Sequence, residues 1–222
     1  MVNKEKLGEP IGVGGEKKVY QDPEHPDRIV GVFKEDHEEE TSNQIKARFY
    51  FTKILHLLFP KNIPDMHWAG NEPNAFSSAK VEHDENHHVL RRYSLMRENG
   101  EDFELYKRNI EEFKKKLDKL DEVTDKISND PNVINFKEKL EELGIKSFDH
   151  AAVNFSKDSE GNVLYLDTFY VWKRNIYGKL RLFCDFDKLE NAFENLSEDD
   201  RSQAKNYLSR LKKLYEEESN SK

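Results

Sequence analysis

Asp149 and Asn154 stand five residues apart, and Asp167 follows Asn154 by thirteen. They lie in the stretches Gly144-Ile145-Lys146-Ser147-Phe148-Asp149-His150-Ala151-Ala152-Val153-Asn154 and Val163-Leu164-Tyr165-Leu166-Asp167-Thr168-Phe169. A carboxylate, an amide and a second carboxylate can surround one divalent cation and the phosphates it carries. Phosphoryl transfer from ATP needs such a set: one side chain orients the attacking hydroxyl, and two hold magnesium against the phosphates. Upstream, Ile11-Gly12-Val13-Gly14-Gly15-Glu16-Lys17-Lys18-Val19-Tyr20 is rich in small residues. Glycines let a strand turn approach phosphates closely, with backbone N–H groups directed at the anion. The same stretch also reads as a plain hairpin turn.

These residues need elements to position them. Residues 7–34 read as strands joined by turns, with Pro23 to Pro26 as a turn and Arg28 to Lys34 apolar and β-branched. From Asp36 to Phe59 the residues Ile45, Phe49, Thr52, Leu55 and Phe59 fall at three- and four-residue steps, and Pro60 ends the run. Two more strands are expected around Asp65–Ala69 and Val89–Met96, making five strands and one helix in the first hundred residues.

The second half reads as mostly helical. Phe103, Tyr106, Ile110, Phe113, Leu117, Leu120, Val123 and Ile127 make one apolar stripe, broken at Asp130-Pro131. A helix from Val133 to Leu143 ends at Gly144, a left-handed cap. Asn154–Phe155 and Val163–Leu166 predict two short strands around the turn Ser159-Glu160-Gly161-Asn162. Helices are expected over Asp187–Phe193 and over Glu198–Glu218, the latter with Ser197 as N-cap.

Composition narrows the function classes. Apolar and charged residues each make up 36% of the 222 positions, so 2 Trp, 9 Tyr and 14 Phe must supply much of the buried area. The net charge of −8 opposes nonspecific attraction to nucleic acid or anionic lipid. One cysteine, Cys184, excludes an internal disulfide and suits a reducing compartment; its apolar neighbours suggest a packed thiol. The polar start Met1–Lys6 lacks a signal-peptide core, and no apolar run is long enough to span a bilayer. A cytoplasmic protein is the expectation.

The ordered series resembles the protein-kinase-like superfamily, in the manner of aminoglycoside-phosphotransferase-like enzymes or small atypical kinases. The residues that carry it are the glycine turn, the strand Val30-Gly31-Val32-Phe33-Lys34 ending in lysine, Ser94-Leu95-Met96-Arg97-Glu98, and the Asp149, Asn154 and Asp167 series. The resemblance implies an α+β fold with two lobes. Residues 1–98 would form a small antiparallel-sheet lobe with one helix, and 99–222 a reduced, mostly helical lobe. It further implies that ATP and magnesium bind between the lobes. Gly12, Gly14, Gly15 and Lys34 would hold phosphates, and backbone groups around Met96 and Glu98 the adenine. Asp149 would orient the acceptor hydroxyl of a small molecule or protein, and Asn154 and Asp167 would bind the metal.

The chain departs from that pattern at several places. Lys17 replaces the third glycine, and Ser147-Phe148 stand where His-Arg precedes the catalytic Asp. Asp167-Thr168-Phe169 lacks the usual glycine, and only Glu38, Glu39 or Glu40 could pair with Lys34. Nothing after Asp167 matches Ala-Pro-Glu. A kinase-like binding module without turnover is therefore a second reading, and an unrelated helical interaction protein built on the Phe103–Ile127 stripe a third. His83-Asp84-Glu85-Asn86-His87-His88 carries metal-type ligands without a second matching set, and reads as a polar hairpin loop.

Overall fold

The computed structural model describes residues 6–14, 16–34, 41–69, 75–98, 100–146, 148, 150–175, 177 and 179–221. The chain is α+β and forms two compact units. One comprises Met1–Lys80, Glu141–Phe148 and Thr168–Lys222; the other comprises Val81–Leu140 and Asp149–Asp167. The first unit is discontinuous in sequence: the chain returns to it over Glu141–Phe148 and again for its last quarter.

The first unit is built on an antiparallel sheet of β1 (Gly12–Val13), β2 (Lys17–Gln21), β3 (Arg28–Phe33), β4 (Met66–Trp68) and β5 (Ala75–Ala79), in the order β1-β2-β3-β5-β4. The fifth strand is Ala75–Ala79 and not the expected Val89–Met96. Against the sheet lies α1 (Ser42–Leu58). Thr41 starts it with a capping box: its hydroxyl accepts from the Gln44 amide, and the Gln44 side chain accepts from the Thr41 amide. Phe59 closes the helix before Pro60, as the sequence predicts. Ile45 and Phe49 from α1 pack on Phe33 and Phe76, and Trp68 stacks on Phe49 with ring centroids 4.2 Å apart. Each such buried aromatic contributes about 1.5–3 kcal/mol of transfer free energy, which lets an apolar-poor chain hold a sheet.

Behind α1 runs α7 (Glu198–Asn220), capped by the Ser197 hydroxyl on the Asp200 amide and burying Ala204, Leu208 and Leu211. Its last turn closes back on the start of α1. Glu218 is 4% exposed and accepts from the Thr41 hydroxyl at 3.2 Å and from the Arg174 guanidinium at 3.3 Å. Arg174 belongs to β8 (Trp172–Arg174), which pairs with β9 (Leu180–Leu182) in a hairpin that the sequence reading passed over. The short helix α6 (Phe186–Ala192) follows, with Asp185 as its N-cap. Cys184 is buried and its thiol is pushed well up by that burial, with the Asp185 carboxylate adding to it; it is a packing residue.

In the second unit α2 (Glu85–Glu98), α3 (Glu101–Arg108), α4 (Ile110–Ser128) and α5 (Pro131–Glu142, of which 131–140 belong here) accompany a hairpin of β6 (Phe155–Lys157) and β7 (Val163–Tyr165). The single apolar stripe expected from Phe103 to Ile127 is two helices. Asn109 ends α3 and caps α4, accepting from the Glu112 amide at 3.1 Å. Only the later part of the stripe is deep: Leu120, Val123 and Ile127 are buried, whereas Tyr106 and Ile110 are about half exposed. Pro131 opens α5 as its first residue, where a missing N–H costs nothing. The β6–β7 turn carries Gly161 at φ +81, as the turn signal implies.

Candidate functional site

In the first unit β1 and β2 form a hairpin around the glycine turn, with Gly12 opposite Val19 and Val13 opposite Lys18. The Gly14 amide donates to the Lys17 carbonyl at 2.9 Å, so the hairpin itself uses that N–H. β2 then pairs with β3 through Lys17 opposite Phe33, and the Lys34 amide donates to the Glu16 carbonyl at 3.0 Å. Gly12, Gly14 and half-buried Lys34 are therefore brought together by one three-stranded ladder, with Glu16 at its end. Gly15, and Glu38 to Glu40, lie outside the described residues.

α1 contains no acidic residue and offers Arg48 to the buried side instead. Arg48 Nε donates to Thr168 Oγ1 at 2.9 Å, and its Nη2 donates to the Glu16 carboxylate at 2.8 Å. The guanidinium lies over the rings of Tyr170 and Phe33, with centroids at 4.2 and 5.1 Å. Tyr170 donates its hydroxyl to the other Glu16 oxygen. Sequence reasoning missed Arg48. Its signal is the place of a cation between Ile45, Phe49 and Thr52 on the face that must go inward.

In the second unit a 3-10 turn over Ala152–Asn154 leads into β6. The hairpin register puts Phe155 opposite Tyr165, and the Leu166 amide donates to the Asn154 carbonyl at 2.8 Å. Asn154 and half-buried Asp167 therefore lie at the open end of one hairpin. The Asn154 side-chain Nδ2 is buried there and, among the described residues, has no hydrogen-bond partner. Asp149 lies outside the described residues.

Met96 and Glu98 correct an expectation. They belong to α2, not to a strand running into a connector. The sequence signal was available: the Asp84 carboxylate accepts from the His87 amide at 2.8 Å, an N-terminal cap ahead of Glu85. Inside a helix the Met96 amide is committed to the preceding turn, so it is not an extended backbone edge that could pair with adenine.

The histidine cluster is likewise the start of α2 and not a hairpin loop. His87 is buried, with Nδ1 3.0 Å from the Phe155 carbonyl. His83 stacks on it at 3.9 Å and reaches Ser156 Oγ at 3.1 Å. Burial, reinforced by His87 and Arg91, pushes the His83 imidazole down to about 4, and burial also lowers that of His87. Beside them a cavity of about 60 Å³ is lined in part by Asp84, Asn86, Asp130, Ser156 and Lys157. Cavities that take a ligand of nucleotide size run to several hundred cubic ångströms. Among the described residues no group of three or more His, Cys, Asp or Glu side chains is assembled to hold a metal ion. Among them, too, no helix is long and apolar enough to cross a membrane.

No protein-family model and no curated protein sequence matches the chain.

Proposed function

We propose that this chain is an ATP- and magnesium-dependent phosphotransferase of the kinase-like type, acting on a hydroxyl of a small molecule or a protein. The observation that carries this reading is the pairing of Asn154 with Leu166, which brings residues Asn154 and Asp167 to one end of the β6–β7 hairpin. A buried amide nitrogen without a partner costs about 1–3 kcal/mol, and Asn154 has one. A half-turn of the amide exchanges Nδ2 for Oδ1, which is a hard-cation ligand. The pair therefore fits magnesium, which takes one or two protein oxygens and completes its shell from water and phosphate.

Bound magnesium would neutralise charge on the phosphates during transfer. The residues of the chain would do the rest. Lys34 and the turn at Gly12, Gly14 and Gly15 would hold phosphates, Asn154 and Asp167 would keep the metal in register, and Asp149 would orient the acceptor hydroxyl. Such catalysis is positioning and charge stabilisation, so a reduced motif set lowers the rate without abolishing it.

A second reading, a nucleotide-binding or protein-interaction module without turnover, draws support from α1. That helix carries Arg48 and no carboxylate to steady Lys34. Calorimetric titration of ATP with and without magnesium, on wild type and Asp167→Ala, tests both. Metal-dependent binding that the substitution abolishes is the expected result; no binding to either protein overturns the nucleotide reading. ADP formation in the presence of candidate acceptors then separates enzyme from module.

A further inference from the structure

Among the described residues of the first unit Arg48 is the most deeply held charged side chain, with 1% of it exposed. Its place is fixed by packed partners: Thr168 is buried, Phe33 is buried, and Tyr170 lies across the guanidinium face. Its anionic partner among the described residues, Glu16, is of another kind. Glu16 sits where the glycine turn enters β2, next to a strand β1 of two residues, and its side chain is 27% exposed. The guanidinium is set by a seventeen-residue helix, and the carboxylate by a short turn.

A buried guanidinium cannot be left without an anion, because the uncompensated charge costs several kcal/mol. It can exchange one anion for another. Lys17 follows Glu16 in sequence, and the Lys34 amide donates to the Glu16 carbonyl, so two further cationic residues adjoin the one whose carboxylate Arg48 holds. Arginine matches phosphate oxygens as well as it matches carboxylate.

We propose that Arg48 is a polyphosphate-binding residue, and that Glu16 is the chain's own carboxylate occupying its place until the ligand displaces it. The choice of polyphosphate as ligand rests on the nucleotide reading above. Displacement of Glu16 leaves the Thr168, Phe33 and Tyr170 contacts of Arg48 in being, and it releases the Tyr170 hydroxyl to donate to the incoming phosphate. The Arg48 site is therefore self-occluding: held by Glu16 when empty, and freed by the anion that it binds.

The test is titration of inorganic pyrophosphate and of ATP with magnesium into wild type, Glu16→Gln and Glu16→Asp, with melting curves for each. Removing the competing charge should tighten binding of both ligands roughly tenfold in Glu16→Gln, in the range of ordinary site couplings. The shorter carboxylate of Glu16→Asp should give an intermediate gain. Without ligand, Glu16→Gln should melt lower than wild type, and pyrophosphate should raise its melting temperature by more. If Glu16→Gln keeps a native circular dichroism spectrum and binds no more tightly than wild type, Glu16 is a structural partner only and the proposal falls. If it does not fold, Glu16→Asp decides on the same criterion. Tighter pyrophosphate binding with no ATP binding by any variant would keep the anion exchange and remove the nucleotide reading. Binding of ATP by wild type that depends on Asp167, with no gain on substitution of Glu16, would do the reverse. Failure of every protein to bind either ligand removes both.

Discussion

Arg48 Nε and Thr168 Oγ1 meet at 2.9 Å across 120 residues of sequence. The bond ties α1 to the residue that follows Asp167, within the first unit. Both side chains are buried, so neither can turn to water if the other is lost.

Thr168→Val keeps the shape of the side chain and removes the acceptor. It should lower the unfolding free energy by about 1–3 kcal/mol, the cost of an unmade buried bond to a charged donor. Urea denaturation measures it, and an unchanged midpoint would show that Arg48 Nε finds another acceptor.

Acid should loosen the second unit. The His83 imidazole is pushed down to about 4 in the fold, against 6.5 as its ordinary value, with His87 shifted the same way. The unfolded chain then binds protons that the folded chain refuses, so stability falls as the pH drops from about 6.5 to about 4 and levels off below. Above the upper limit these groups are neutral in both states. Melting temperature followed across that window should show the decline, and His83→Phe, which keeps the ring stack and loses the proton, should flatten it. A slope identical to wild type would remove His83 from the account.

Two glycines at positive φ should respond differently to alanine. Gly144 has φ +74, and a Cβ there would meet the Asp185 Cβ at 2.6 Å, at the cap of α6. Gly161 has φ +81 and nothing within 4 Å of that position. Gly161→Ala should cost about 1–2 kcal/mol, the left-handed penalty alone. Gly144→Ala should cost distinctly more, because backbone strain and contact add. Equal losses in denaturant titrations would mean that the α6 cap yields freely.

Asn154→Leu should separate stability from binding. Replacing an amide that has an unpaired buried nitrogen with an apolar side chain of similar size should leave stability unchanged or raise it by up to about 1 kcal/mol. Magnesium-dependent ATP binding should vanish in the same protein. A clear loss of stability would show that the amide serves the fold and not a ligand.

Much of the framework was legible because its signals are local. Ser197, Gly144 and Gly161 each announce an element end through a backbone need that few residue types meet. The α2 segment misled because Val89, Leu90, Tyr93, Leu95 and Met96 read equally as a buried strand, and the deciding residue was the capping Asp84. The β8–β9 hairpin carried alternation in Trp172, Lys173, Leu180, Arg181 and Leu182 that went unread. Arg48 was hidden for a different reason. A cation on an amphipathic helix is assigned to solvent by default, and what draws it inward here, Glu16 and Thr168, lies 32 and 120 residues away. That Asn154 and Asp167 flank one hairpin was visible as spacing around a turn; the unpaired amide was not, since it depends on what packs around it.

Glu218 lends its carboxylate to the hydroxyl of Thr41, the cap of α1, 177 residues earlier in the chain. A polypeptide leaving the ribosome therefore delivers the sheet and α1 long before the helix that closes them exists. The second unit, complete once residue 167 has emerged, can settle while the first still waits with the face of α1 that α7 will cover left bare. For this chain the order of synthesis runs against the order of closure, and the interval between them is when its earliest strands most need protection from their neighbours.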